Sequence, residues 1–512
     1  MAERSEEFEL KFTGSPTEIA ALPQSLILTA LDSDTGEWER LDTTYYDTAS
    51  GDLARIGFSL RLRDEGGVLI QAIKRSQAGG ASVLRDEVET LVANRSSFPA
   101  ISGDAEFDEI IQDFKSHLAP VARTVSDRWT TLAAFRRSKI ELSIDLGRVE
   151  SWSSGGGHFQ APLAELELEL KEGRPKDVFD LGRLLARNAA LRLSPHSKLQ
   201  SALILQEGGP YRVAPPVKIT ADADESAGDI LQRALGVIAG RMAALQPTLL
   251  DARRVEGVHQ MRVALRRLRA TERIFRLYLA DSGLRNVAET ARSFARRLGE
   301  ARDWDVFLEE TLPSALASGY APERPERLRR VCDAKRAEGW AVAVAAIGDP
   351  AFTIFLIDLM EAAVIAPWRD EARDSLSAPA RDFAPYALDR ALKKASKKSK
   401  SIDLDHVAEL HQLRIALKKL RYPVQMFRSI YPKAQRKEYM AALSALQENF
   451  GVVNDAVVAQ DLANEAAIGN GDEAMRVAGF VCGYKAAEAD AAAKRIREVW
   501  PDFMELQPFW RD

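Results

Sequence analysis

Four short stretches in the first two hundred residues alternate polar, mostly charged, and apolar side chains: EFELK (7–11), SLRLR (59–63), KIELSIDL (139–146) and ELELEL (165–170). Successive strand residues point to opposite faces, so each stretch is a strand with one charged and one apolar face, and same-face neighbours stand about 7 Å apart. That two-residue period excludes a helix for all four. Taken singly, each strand fits an ordinary antiparallel sheet with charges in water and leucines inside. Together they are sorted: Arg61 and Arg63 share one strand face, while Glu141, Ser143 and Asp145, and Glu165, Glu167 and Glu169, occupy others. Such sorting fits a cavity with a cationic wall and an anionic wall.

Composition frames this pattern. With 512 residues, 46% hydrophobic and 28% charged, the chain is expected to bury substantial cores in two or three domains. The net charge of -5 confines any anion-binding function to local basic patches. The two cysteines, Cys332 and Cys482, match no metal spacing and suit a reducing compartment. No signal-like segment opens the chain, and its most apolar stretch, IFLIDLMEAAVIAPW (354–368), is broken by Asp358 and Glu361, so the expectation is a cytoplasmic protein with no membrane partner.

Cationic and anionic walls suit phosphoryl transfer to water, because Arg and Lys grip a triphosphate while Mg²⁺ or Mn²⁺ needs hard carboxylate oxygens beside it. EFELK, TTYYDT (43–48), SLRLR, QAIKR (71–75), RDEVE (85–89), SIDLG (143–147), ELELELKEG (165–173) and SKLQSAL (197–203) follow the order seen in CYTH-domain proteins, the triphosphate tunnel metalloenzymes, which residues 1–205 resemble. The resemblance implies an α+β domain: an eight-stranded antiparallel β-barrel with a charged tunnel inside and helices outside. It implies Glu7, Glu9, Asp145, Glu165 and Glu167 as metal carboxylates and Lys11, Arg61, Arg63 and Lys74 as catalytic phosphate grips. Arg85 and Lys198 match further basic positions, and Arg128 is chosen over Arg123 and Arg136 for another. Lys198 also reads as a solvated lysine at a helix start.

Beyond a Gly- and Pro-rich linker (206–222), the texture becomes helical, and VHQMRVALRRLRATERIF (258–275) returns as LHQLRIALKKLRYPVQMF (410–427). The histidines are offset by 411 minus 259, or 152 residues, and the same offset relates Gly299 to Gly451 and Asp303 to Asp455. This is a duplicated helical unit, with repeats over about 225–375 and 376–505 of an all-α domain (223–505). At helical spacing His259, Arg262, Arg266 and Arg269 form one stripe, and His411, Arg414, Lys418 and Arg421 repeat it. A solvated basic face gives the same pattern in either helix alone. Asp303 and Asp455 are expected to hold the arginines in place.

This half resembles a CHAD domain, which implies two pseudo-symmetric helical bundles around a basic groove that binds inorganic polyphosphate. The combined expectation is a metal-dependent inorganic triphosphatase acting on tripolyphosphate. The alternatives are a polyphosphate-binding scaffold with little turnover, or hydrolysis of an organic triphosphate. Nucleic-acid binding ranks last, because the basic helices lack exposed aromatic platforms.

Overall fold

The computed structural model describes residues 5–76, 83–153, 155–209, 211, 213, 215, 218–279, 283–318, 325–371, 373–399 and 407–511. They form two compact units. One comprises the described residues up to 215 with 232–257 and 348–366; the other comprises 218–231, 258–347 and 367–511.

The first unit is built on β1 (Ser5–Thr13), β2 (Glu37–Asp47), β3 (Phe58–Glu65), β4 (Val68–Ser76), β5 (Leu84–Val92), β6 (Ala119–Phe135), β7 (Ser138–Trp152) and β8 (His158–Glu172). They pair antiparallel in the order β1–β5–β4–β3–β2–β6–β7–β8, and β8 returns to β1, so the eight close into a ring. Two two-residue strands, Asp32–Ser33 and Arg192–Leu193, pair with the ends of β6 and β1. Closure removes the open edges that invite aggregation.

The alternation resolves as expected: Leu10, Phe12, Leu60, Leu62, Ile140, Leu142, Ile144, Leu166 and Leu168 are buried on the outer face, under helices. Helix α1 (Ala105–Phe114) inserts Phe107 and Ile111 among Leu60, Ile73 and Val88. Helix α2 (Pro175–Asn188) sets Phe179 edge-on to Phe8 at 5.7 Å. Its Gly182 lets the backbone close in, since a Cβ there would meet Leu10 at 2.8 Å. Helix α3 (Lys198–Gln206) is started by a capping box between Ser197 and Gln200 and packs Leu199 and Ala202 on Tyr45, Ala122 and Val149.

The apolar stretch interrupted by acids becomes the helix Pro350–Val364 of this same unit. Asp358 pairs with Arg183 at 2.8 Å, and Glu361 pairs with Arg183 and with Lys176 at 3.1 Å. The interrupting acids thus anchor the helix to α2. Among the described residues no single helix is long and apolar enough to cross a membrane.

The second unit is helical and carries the repeat in its geometry. Helix α4 (Val255–Phe275) runs into a 3₁₀ turn at Arg276–Tyr278, and helix α6 (Val407–Phe427) runs into one at Arg428–Ile430. Every one of these boundaries recurs at the 152-residue offset (428 minus 276). Between the two copies in sequence lies helix α5 (Ala380–Ser399), whose Phe383 sits 5.2 Å from Phe275 and 5.9 Å from Phe427. The apolar stripes are buried in both copies: Met261, Leu265 and Leu268, then Leu413, Leu417 and Leu420. The chain ends in the hairpin of α7 (Lys433–Ala467) and α8 (Gly471–Glu505).

Candidate functional site: a charged tunnel and a duplicated basic stripe

The ring encloses a cavity of about 1010 Å³ lined by the charged strand faces. Register sets what meets what: Lys11 lies opposite Glu167, Glu9 opposite Glu169, and Asp145 sits between Arg128 and Glu165 on its two neighbours. Gly147 permits the close pairing of β6 and β7 beside Asp145, because a Cβ there would fall 2.0 Å from the Val125 carbonyl oxygen.

Three clusters of opposite charge result. In the first, Lys198 Nζ stands 2.6 Å from Glu167, 3.0 Å from Asp145 and 3.3 Å from Glu165. Lys11 Nζ reaches Glu167 at 2.6 Å and Glu9 at 3.6 Å, and Arg128 donates to Asp145 at 2.6 Å and Glu167 at 2.9 Å. In the second, Lys74 bridges Glu7 at 2.7 Å and Glu87 at 2.8 Å. In the third, Arg61 reaches Glu87 at 3.1 Å and shares Glu89 with Arg63, each at 3.4 Å. The Arg61 Nε is buried and has no hydrogen-bond acceptor among the described residues. Arg123 and Arg136 pair instead with Asp42 and Asp180 and do not line the cavity.

Burial opposes ionisation of Asp145 and Glu167, yet Arg128 and Lys198 beside the first, and Lys11 and Lys198 beside the second, hold both well below the usual carboxylate range. Burial raises Glu165, and Lys198 and Lys11 only partly offset it. Glu7 is pushed up to about 8 by burial and by its contact with Glu87. Glu87 stays low because Arg61 and Lys74 outweigh its own burial. Lys198 occupies the first turn of α3, where the helix dipole disfavours a cation; three carboxylates overrule it.

Of the carboxylates expected from sequence, Glu7, Glu9 and Glu167 line the cavity, whereas Asp145 and Glu165 lie behind Lys198 and Arg128. As they stand, no three acidic, histidine or cysteine side chains among the described residues converge on a metal position, since basic groups occupy Asp145 and Glu167. The donor set nonetheless fits a hard divalent cation: the oxygens are all carboxylate, and buried Glu165 Oε2 has the 3.3 Å ion-pair contact with Lys198 but no well-aligned hydrogen bond. Arg85 lies on β5 opposite Glu7, but its side chain is outside the described residues. Tyr45, inside TTYYDT, also lines the tunnel, a position that the charge alternation does not signal.

In the helical unit the two stripes meet. Arg266 Nε donates to the Tyr422 hydroxyl at 2.8 Å across the repeats. Arg262 lies 3.9 Å from Asp303, and a Cβ on Gly299 would stand 3.1 Å from the Arg262 guanidinium. In the second copy Asn454 accepts from Arg414 at 2.7 Å and lies 3.1 Å from His411 Nδ1. His259 is part-buried on the equivalent face of α4, Arg269 is part-buried further along it, and Arg421 is exposed near the end of α6. Burial and the neighbouring Arg414, Arg266 and Arg421 push Lys418 down to about 8. Neither the Asn454 contacts nor the Arg266–Tyr422 bond was legible in the sequence. Asn454 stands where the first copy has Arg302, and Tyr422 where it has Ala270, so the repeat itself gives no sign of either contact.

The first unit is thus a closed antiparallel ring with a sorted, charged interior, and the second a duplicated helical unit that carries two basic stripes. Family comparison agrees: residues 5–203 match the CYTH domain and residues 233–464 the CHAD domain, so the chain is a CYTH–CHAD tandem protein. It is 27% identical over 210 residues to an inorganic triphosphatase of Haemophilus influenzae, a match covering 39% of this chain and 55% of that protein, or about half the relative's length. Among solved structures, the CHAD domain from the plant Ricinus communis is 25% identical with a TM-score of 0.47, covering 58% of this chain and 98% of that one. HpAC1 from Hippeastrum, which has a dominant triphosphatase activity, is 17% identical with a TM-score of 0.28, covering 41% and 97%.

Proposed function

We propose that the tunnel hydrolyses inorganic triphosphate to diphosphate and phosphate in a divalent-metal-dependent reaction, and that the duplicated stripe binds inorganic polyphosphate. One observation carries the reading: seven basic side chains, Lys11, Arg61, Arg63, Lys74, Arg128, Lys171 and Lys198, line one cavity with carboxylates between them. Lys11, Arg61, Arg63 and Lys74 grip the phosphate chain, with Arg128 and Lys198, and with Arg85 assigned only by its place on β5. The buried Arg61 Nε supplies a donor to charge that builds on the transferring phosphoryl group.

Glu7, Glu9, Asp145, Glu165 and Glu167 would hold Mg²⁺ or Mn²⁺, which when bound neutralises phosphate charge and polarises the attacked group. A triphosphate arriving at Lys198 and Lys11 gives those ammonium groups new anionic partners and loosens their hold on Glu165 and Glu167. Water supplies the oxygen that ends on the released phosphate, and the phosphoanhydride bond breaks toward diphosphate. Trp38, half-exposed on the cavity wall, favours a second reading in which an organic triphosphate stacks there. Phosphate release from tripolyphosphate, thiamine triphosphate and ATP decides between them: the first reading expects the highest kcat/KM for tripolyphosphate, and preference for an organic substrate that is lost in Trp38→Ala would replace it.

A further inference from the structure

The helical unit contains a second cavity, of about 530 Å³, between the end of α4 with its following turn, α5 and α6. Its lining has two characters. Six cations surround it, Arg273, Arg276, Arg390, Lys394, Lys398 and Lys419, and no Asp or Glu among the described residues lines it. Besides Gln412 and Tyr422, the rest is apolar: Ile274, Leu277, Ile415, Pro423 and four alanines.

The cations are not equivalent. Arg276 is neutralised by Glu272, at 2.7 and 2.8 Å. Arg390 caps the end of α4 by donating to the carbonyls of Arg273 at 3.2 Å and Ile274 at 2.5 Å. Lys398 is engaged by another contact, and Arg273, Lys394 and Lys419 remain, none of which forms an ion pair among the described residues. Burial and then Arg273 and Lys394 hold Lys419 below the ordinary lysine range, which supports the same geometry. Beside these charges Leu277 is 70% and Ile415 38% exposed, apolar surface that folding has not covered.

We propose that this cavity binds a small amphipathic organic phosphate. Inorganic polyphosphate would meet the three cations and leave the apolar wall in water, and a neutral apolar ligand would leave the cations unmatched. A phosphate carried on an aliphatic or aromatic body satisfies both, and the volume falls in the usual range for small-ligand sites. Tyr422 forms part of the wall, and its hydroxyl accepts from Arg266 of the basic stripe, so ligand and stripe share a side chain. This site stands on its own observations, apart from the tunnel reading.

The test is calorimetric titration of the full chain with octyl phosphate and phenyl phosphate as the aliphatic and aromatic probes, with inorganic phosphate as competitor. The expected result is saturable one-to-one binding of at least one probe, with inorganic phosphate competing at least about tenfold more weakly because it buries no apolar surface. Lys394→Glu with Lys419→Glu weakens the probe by about tenfold or more, since charge reversal at the site turns attraction into repulsion. Ile415→Ser weakens it by a few-fold, about the worth of part of one side chain. All three positions are exposed, so the thermal midpoint of each variant should stay near that of the parent. Arg61→Ala and Arg262→Glu should leave probe binding unchanged. Absence of saturable binding, equal competition by inorganic phosphate, or loss of binding in Arg61→Ala or Arg262→Glu but not in the double lysine variant overturns the proposal.

Discussion

The tunnel and the helical stripe use the same basic residue types in opposite electrostatic states. In the tunnel each named cation has a carboxylate within 4 Å: Lys198 has three, and Lys11, Lys74, Arg61, Arg63 and Arg128 each have two. In the stripe, cations face cations, and Lys418 is pushed down to about 8 by burial and its basic neighbours. A neutralised interior favours an exchange of partners, in which an incoming anion and a cation replace contacts already made. A stripe with fewer carboxylates beside its cations, Arg262 having Asp303 at 3.9 Å, favours direct capture of a long polyanion. Substitutions in either region separate the two states.

The largest effect belongs to Lys198→Met. Removing Lys198 takes from Glu165 its ion-pair partner and leaves Asp145 and Glu167 to Arg128 and Lys11, at a cost of about 3–5 kcal/mol. Urea denaturation measures it, and added Mg²⁺ should restore part of the loss if the freed carboxylates take up the metal. Next comes Arg61→Ala, expected to lower kcat for tripolyphosphate by about 10²–10³-fold, the usual cost of removing a charge-stabilising donor. Unchanged steady-state kinetics in that variant would place Arg61 outside the chemistry.

Arg262→Glu with Arg266→Glu acts on the stripe. Polyphosphate affinity should fall by about tenfold or more and the salt dependence should flatten, as fewer counterions are released. Smaller still is a proton effect at Lys418. Its folded pKa is depressed to about 8, so from there up to the ordinary lysine range the folded chain holds fewer protons than the unfolded one. Its contribution to stability therefore rises with pH across that window, and its penalty is complete below it. A bound polyanion favours the charged form, so binding near pH 8 should take up a fraction of a proton, seen as a dependence of calorimetric enthalpy on buffer, and Lys418→Met should abolish it. The smallest effect is at the exposed pair of Arg40 and Asp127, where Arg40→Ala should change stability by less than about 1 kcal/mol.

The strands and their inward charges were legible because a two-residue period leaves no freedom about which side chains share a face. The repeat was legible because one offset relates residues, helix ends and the turns after them. What sequence left open were matters of partner. Lys198 read equally as a solvated helix-start lysine until three carboxylates were found around it. Asp358 and Glu361 read as interruptions of an apolar run because their partners, Arg183 and Lys176, lie some 175 to 185 residues away in sequence. Asp145 and Glu165 carried no sign that basic side chains stand between them and the cavity.

The proposed division of labour between the two regions is tested by phosphate release from tripolyphosphate by the full chain, with Mg²⁺ or Mn²⁺ and then with EDTA, for the parent, Arg61→Ala and the Arg262→Glu, Arg266→Glu pair. The full chain is needed because residues 348–366 belong to the tunnel unit. The account predicts metal-dependent release that Arg61→Ala lowers by about 10²–10³-fold and the stripe pair leaves intact. Release that persists in EDTA, or that falls equally in both variants, would contradict it.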